Sequence, residues 1–399
     1  MKKTVLIICF SELHKDPRVL REVESLRDNY RIVTGGFTST GYEDLFIKLS
    51  KPPVANKHWG YPFIFRKVVS AYLRIRIKFI SLLGNLKYEI IYWDRRAKDS
   101  VKTLCASKAN LILANDLNIL PIAYRVSRKL NARLIFDAHE YYPLEFENNI
   151  SWRKEMKPFY EYLCKKYLGK ADDVTVVSET IGNRYREEFG LSKFHVVDNA
   201  ADYFDLKPGS VREDKIKLIH HGFAIPERKL ENLIKILDNL DKRFELHLIL
   251  VYNNQTEYYY RQLVKDNLGN MRLFFHNPVP FRKIPEFINQ FDIGIYFMDT
   301  TNFNNYSTIP NKFYEFIQAR LMIAICPSIE LEKIIDKYQL GIYTITYDYR
   351  EMSDRLNALD SRDVSLFKSN SHKCARELSS EKNKRTIKKI VDKLLNENV

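Results

Sequence analysis

Short apolar runs alternate with amphipathic stretches from one end of this chain to the other, and few folds accept that pattern. The runs read as buried strands. In the first half they are "TVLIICF" (4–10), "YRIVTGG" (30–36), "YEIIYW" (88–93), "LILAN" (111–115), "RLIFDA" (133–138), "DVTVVS" (173–178) and "FHVVDN" (194–199). In the second they are "IKLIHHG" (216–222), "FELHLILV" (244–251), "MRLFFHN" (271–277), "DIGIYF" (292–297), "LMIAICP" (321–327) and "GIYTITY" (341–347). A strand covered on both faces is apolar along its whole length. The alternation therefore predicts an α/β protein of βα units, with parallel sheets between helices. At 399 residues two such domains are expected. The stretch "YFDLKPGSVREDK" (203–215), poor in apolar residues and holding Pro208 and Gly209, marks their junction. The expected division is 1–205, 206–375, and a C-terminal helix in 376–399 packing back on the first domain. Two doubly wound, Rossmann-like domains facing one another would leave a cleft at the carboxyl ends of their strands, where such sheets bind ligands. Neither a dinucleotide-binding GxGxxG nor a P-loop occurs.

The composition, 45% hydrophobic, is that of a folded protein, and no apolar run approaches the roughly 18–20 residues that span a bilayer. The opening "MKKTVLIICFSEL" resembles a signal peptide, but Glu12, His14 and Asp16 follow at once and no small-residue cleavage site does, so 4–10 is read as a strand. Five cysteines without CxxC clustering argue for a reducing cytoplasm and against zinc. A net charge of +14 calls for an anionic partner: nucleic acid, a membrane or a phosphorylated substrate. From Trp59 to Tyr88 there is no acidic residue, while Arg66, Lys67, Arg74, Arg76, Lys78 and Lys87 are present among Tyr61, Phe63, Phe65, Tyr72 and Phe79. Apolar positions 65, 68, 69, 72, 79, 80, 83 and 86 follow helical spacing, with Lys67, Arg74 and Lys78 on another face. An anionic membrane surface suits residues 59–88; so does a core-packing helix with a basic outer face. The stretch 151–170 has the same character more weakly. Nucleic acid is not expected, since no recognised fold or aromatic platform accompanies the charge.

Three stretches carry chemistry. In "STIPNKFYEFIQA" (307–319), Pro310 fits the first turn of a helix and Ser307 or Thr308 a cap. Amide groups of Asn311 and its neighbours, with the macrodipole, would face a diphosphate. Lys312 adds charge, and Glu315 one turn on can accept from two sugar hydroxyls; a capped helix with a solvated Lys and Glu is the plainer alternative. In "HHGFAIPERKLENLI" (220–234), Gly222 ends a strand and Arg228 and Lys229 precede a helix, where cations are disfavoured unless an anion binds. In "LIFDAHEYYP" (134–143), Asp137, His139 and Glu140 crowd a strand's carboxyl end.

Taken in order with "DPRVLREVESL" (16–26), "LANDLNILPIA" (113–123), "VTVVSETIGNRYREEFGL" (174–191), "VVDNAAD" (196–202) and "FDIGIYF" (291–297), these stretches resemble the GT-B glycosyltransferases of family four. The resemblance covers nearly the whole chain. It implies retaining, metal-independent transfer of a sugar from a nucleotide diphosphate held by the C-terminal domain, with no cofactor. Glu315 matches the second carboxylate of the E-x7-E motif, on the ribose. Arg228 or Lys229 matches the cation at the diphosphate, and His139 the histidine that approaches the transferred sugar. Asn199 matches the asparagine closing the last strand of the first domain. Ser307 stands where the first motif carboxylate is expected, and the glycine-rich loop after the first strand is missing. His14, Arg18, Asp116, Glu140 and Asn199 are the acceptor-side candidates.

The expected mechanism is electrostatic. Arg228, Lys229, Lys312 and the helix start stabilise the departing nucleotide diphosphate, and domain closure brings His139 over the sugar. The acceptor is expected to be a cell-surface glycan or a lipid-linked molecule, with the enzyme cytoplasmic and peripheral at the inner face of the membrane. A nucleotide-sugar epimerase of related fold and a catalytically weak partner subunit are the alternatives.

Overall fold

The computed structural model describes residues 2–50, 84–93 and 95–396. The basic stretch 59–88 and its helical stripe lie outside these residues, apart from 84–88. The chain divides into two compact units. One comprises Met1–Val176, Asn183–His195 and Thr386–Val399; the other comprises Val177–Gly182 and Val196–Arg385.

The first unit is built on a seven-stranded sheet. Its strands are β1 (Thr4–Ile8), β2 (Arg31–Gly36), β3 (Leu45–Lys48), β4 (Leu111–Asn115), β5 (Arg133–Ala138), β6 (Asp173–Val176) and β7 (His195–Val196), in the order β3-β2-β1-β4-β5-β6-β7. β1 to β6 pair in parallel. The second unit holds a six-stranded parallel sheet of β8 (Ile216–Phe223), β9 (Phe244–Val251), β10 (Leu273–His276), β11 (Ile293–Tyr296), β12 (Met322–Ile325) and β13 (Gly341–Tyr343), in the order β10-β9-β8-β11-β12-β13. Both orders reverse beside the unit's first strand: between β1 and β4 in one sheet, between β8 and β11 in the other. Helices on either side of such a reversal diverge and leave a crevice at the strands' carboxyl ends.

The apolar runs are strands because burial demands it: every residue of β1, β4, β11 and β12 is buried. One expectation is corrected. "YEIIYW" forms part of a helix, Leu86–Tyr92, whose Tyr88 and Tyr92, four residues apart, are the buried pair. Conversely β3 was not expected: it has one fully buried residue, Ile47, among its four, too little apolar content to stand out.

Two helices bear most directly on function. Pro17–Leu26 begins under Asp16, whose carboxylate accepts from the amides of Arg18 and Val19. Asn311–Gln318 buries Phe313, Tyr314, Phe316 and Ile317. Each such side chain contributes about 1.5–3 kcal/mol on burial, so this helix is firmly seated. It lies close on β11, since a Cβ at Gly294 would sit 2.3 Å from the Phe316 ring.

Candidate functional site

In the second unit the candidate residues gather at the β8/β11 reversal. The penultimate residue of β8 is Gly222, whose φ of +146° is one that residues with a side chain rarely adopt. A Cβ there would meet Arg228 Nη1 at 2.8 Å and Lys312 Nζ at 3.1 Å, so the missing side chain is what lets these two cations converge. Arg228 closes a short turn, Pro226–Arg228, and donates from Nη1 to the Phe223 carbonyl at 3.1 Å. Lys312 is buried in the first turn of Asn311–Gln318, with Nζ 4.7 Å from the centre of the Tyr296 ring. Its Nζ has no hydrogen-bond partner among the described residues. Burial, and then the neighbouring Arg228 charge, push its pKa well below the usual lysine value, with Glu315 opposing. Burial also lowers that of Arg228. Two desolvated cations with so little anionic company leave room for a ligand that carries negative charge.

The helix start adds donors. Pro310 occupies the N-cap position, and no side chain caps the first amides, contrary to the cap expected from Ser307 or Thr308. Asn311 is exposed beside it. Glu315 is one turn in, its Oε2 3.3 Å from Nε2 of the buried His221. Asn199 donates from Nδ2 to the Ile309 carbonyl at 3.1 Å and so props the loop that feeds this helix. Ser307 ends the short helix Phe303–Ser307, wholly buried, with its hydroxyl unpartnered among the described residues.

Lys229 stands apart from this group. It adopts a left-handed conformation (φ +48°), which turns its side chain away from that of Arg228 toward Asp299, with Nζ 2.8 Å from Oδ2, and it is half exposed. His221 was not among the residues the sequence singled out. The doubled histidine at the end of a buried strand was its signal, and a lone buried histidine usually reads as core.

In the first unit a second cluster lies at the β1/β4 reversal. His139, just beyond β5, points Nε2 at Asn115 Oδ1 (2.9 Å) and Asp137 Oδ2 (3.0 Å), and Nδ1 at Asp116 Oδ1 (3.2 Å). Asn115 turns its amide to Glu22 at 2.9 Å, which leaves its oxygen for the ring. Burial opposes charge on His139, but Asp116 and then Asp137 raise its pKa to about 9, so the ring is an imidazolium at neutral pH. Arg18 is buried and committed to Asp137, donating from both Nε and Nη2. Burial would raise the Asp137 carboxyl, yet Arg18 and His139 hold it far below the usual range. Asp116 sits at φ +75° and takes the Tyr142 hydroxyl on the same oxygen that faces His139. Burial and the Asp116 charge lift Glu140 to about 7. His14 lies outside this network, exposed and 2.7 Å from the Thr38 hydroxyl.

No protein-family model matches the chain, and no curated protein matches it in sequence. Solved structures do match. HepE from Anabaena, crystallised with UDP-glucose, superposes with a TM-score of 0.70 at 13% identity, over 98% of this chain and 99% of that one. Sucrose-phosphate synthase from Thermosynechococcus elongatus gives 0.72 at 12%, over the whole of both chains. A glycosyltransferase from Rickettsia africae gives 0.68 at 13%, again over the whole of both. At such identities the likeness carries architecture alone, and with two doubly wound sheets of these strand orders the architecture is plain: the chain has the GT-B fold.

Proposed function

We propose that this protein is a glycosyltransferase that takes a hexose from a nucleotide-diphosphate donor and transfers it with retention of configuration. The observation that carries the proposal is the convergence of Arg228, Lys312 and the uncapped start of Asn311–Gln318 on the space beside Gly222. The diphosphate lies there. Glu315 accepts from the ribose hydroxyls, and the base lies beyond it. As the anomeric C–O bond breaks, charge accumulates on the leaving diphosphate, and the buried cations stabilise it more than they stabilise the intact donor. Their charge serves where another enzyme would place a metal ion, so transfer is proposed to be metal-independent. His139 is given no role as a base, since carboxylates hold it protonated and occupy both of its ring nitrogens. The departing phosphate oxygen takes the acceptor's proton. Lys229 is a supporting residue of the site rather than a catalytic one, given its pairing with Asp299.

For the acceptor we propose a glycan or lipid-linked molecule of the cell surface, built in a polysaccharide pathway, with the enzyme cytoplasmic and peripheral on an anionic membrane. The support is the acid-free basic stretch 59–88. Among the described residues no helix is long and apolar enough to cross a membrane.

The test is turnover of a panel of nucleotide sugars, with and without lipid acceptors, followed by assignment of the product anomer. Transfer from one donor with retention supports the proposal, and inversion overturns the mechanism. A second reading rests on Ser307: with a hydroxyl where a carboxylate would contact the donor sugar, the chain could serve as a catalytically weak partner of another transferase. Tight donor binding without turnover under any acceptor would favour it.

A further inference from the structure

His221 lies one residue before Gly222 and is 5% exposed. Its Nε2 is 3.3 Å from Glu315 Oε2 but out of line for a hydrogen bond, and that nitrogen has no hydrogen-bond partner among the described residues. Phe316 meets the ring edge-on at 5.4 Å and limits how it can turn. The charged and titratable groups around it come from each packed element. They are Lys312 and Glu315 from the helix, Arg228 from the turn after β8, His220 from β8 itself, and Tyr296 from β11 against Lys312.

In the free protein this setting keeps the imidazole neutral. Burial, then the charges of Lys312 and Arg228, push its pKa well below the usual histidine value. An anion seated on those two cations reverses the balance. It cancels the repulsion that His221 feels and adds an attraction of its own, while Glu315 already offers a carboxylate on the other side. We infer that His221 is a donor-binding residue that takes up a proton from solvent when a nucleoside diphosphate binds, and as an imidazolium bridges the diphosphate and Glu315. The inference rests on the donor site proposed for the second unit. It has a consequence for the reaction cycle: product release, like donor binding, is coupled to a proton, so affinity for the nucleoside diphosphate falls as pH rises through neutrality.

The test is calorimetric titration of the full chain with UDP, and with GDP and inorganic pyrophosphate, in HEPES and in Tris at about pH 7.5. The dependence of the observed heat on the buffer's ionisation enthalpy counts the protons taken up. His221→Gln keeps an amide donor beside Glu315 but cannot be protonated. Relative to the variant, wild type is expected to take up more by about half a proton per site and to bind roughly tenfold tighter, as a charge-assisted hydrogen bond requires. Equal proton counts overturn the inference even where affinity falls, because a packing role would weaken binding without moving protons. A readout free of substitution is the ¹⁵N spectrum of histidine-labelled wild type. One imidazole should pass from neutral to doubly protonated on adding UDP, and its absence overturns the inference. Failure of wild type to bind any of the three probes would overturn the donor-site reading, and this inference with it.

Discussion

Replacing Lys312 by Met should stabilise the free protein while removing its affinity for nucleotide. The two side chains have similar length, and the site is buried, so packing changes little. What changes is the terminal atom. The Lys312 Nζ is buried without a hydrogen-bond partner among the described residues, and an unsatisfied buried polar group costs about 1–3 kcal/mol. Against this stands its contact with the Tyr296 ring at 4.7 Å. A cation over a ring contributes roughly 0.5–2 kcal/mol, but a thioether against the same ring returns about 0.3–1.5 kcal/mol. The net expectation is a gain on the order of 1–2 kcal/mol, a rise in Tm of a few degrees. Binding moves the opposite way. A charge-assisted hydrogen bond to a phosphate is worth about 1.5–3 kcal/mol, so Kd for the nucleoside diphosphate should rise roughly ten- to a hundredfold. Differential scanning calorimetry and titration calorimetry on the same samples measure both. A variant that is less stable than wild type, or that binds nucleotide equally well, would refute the reasoning, because the lysine would then be serving the fold and not a ligand.

Glu315→Ala should lower donor affinity by roughly 1.5–3 kcal/mol with circular dichroism unchanged; undiminished binding would remove it from the ribose. Arg228→Ala should reduce kcat strongly, whereas Lys229→Ala, half exposed and paired with Asp299, should cost under about 1 kcal/mol in stability and leave kcat nearly intact; equal losses would contradict their different placements. Chemical unfolding should show stability falling from neutral pH to about pH 9. His139, with its folded pKa raised from 6.5 to about 9, binds more protons folded than unfolded in this range, so its contribution is present at low pH and lost as pH rises; Glu140, raised from 4.5 to about 7, gives the same fall at lower pH, between its two values. The His139 share is on the order of 3 kcal/mol, and a stability that increases over this range would show that the network is not charged as described. Reversing Lys67, Arg74 and Lys78 to Glu should release the protein from anionic vesicles in a pelleting assay while sparing transfer to a soluble acceptor; unchanged pelleting would refute a membrane role for that stripe.

The sheets were readable from the residues because buried parallel strands leave an unmistakable trace: β4, β5 and β9 have the bounds that "LILAN", "RLIFDA" and "FELHLILV" suggest. Where burial is one-sided the trace fades. "YEIIYW" is too short for its period to choose between strand and helix, and β3, mostly exposed, left no run at all. In the site, the residue types at Gly222, Lys312 and Glu315 were readable, since each has a chemical reason to be there. The difference between Arg228 and Lys229 was not. It depends on a single positive φ at Lys229, which sends neighbouring side chains to different partners. The protonated state of His139 depends on carboxylates from two separate strand ends, Asp116 and Asp137, which only the folded sheet brings together.

The last helix, Glu381–Asn396, crosses from one unit to the other between Arg385 and Thr386. Its later turns belong to the unit that begins the chain, where Asp392 accepts from the Tyr30 hydroxyl and the Leu395 carbonyl from Lys3. During synthesis the strands of the first unit are therefore all made early, while the unit itself is completed late. At usual translation rates the intervening unit takes on the order of ten to forty seconds to emerge, and for that interval the nascent first unit lacks part of its surface cover. A ribosome stalled before residue 386 would hold a first unit more open to protease than the released chain.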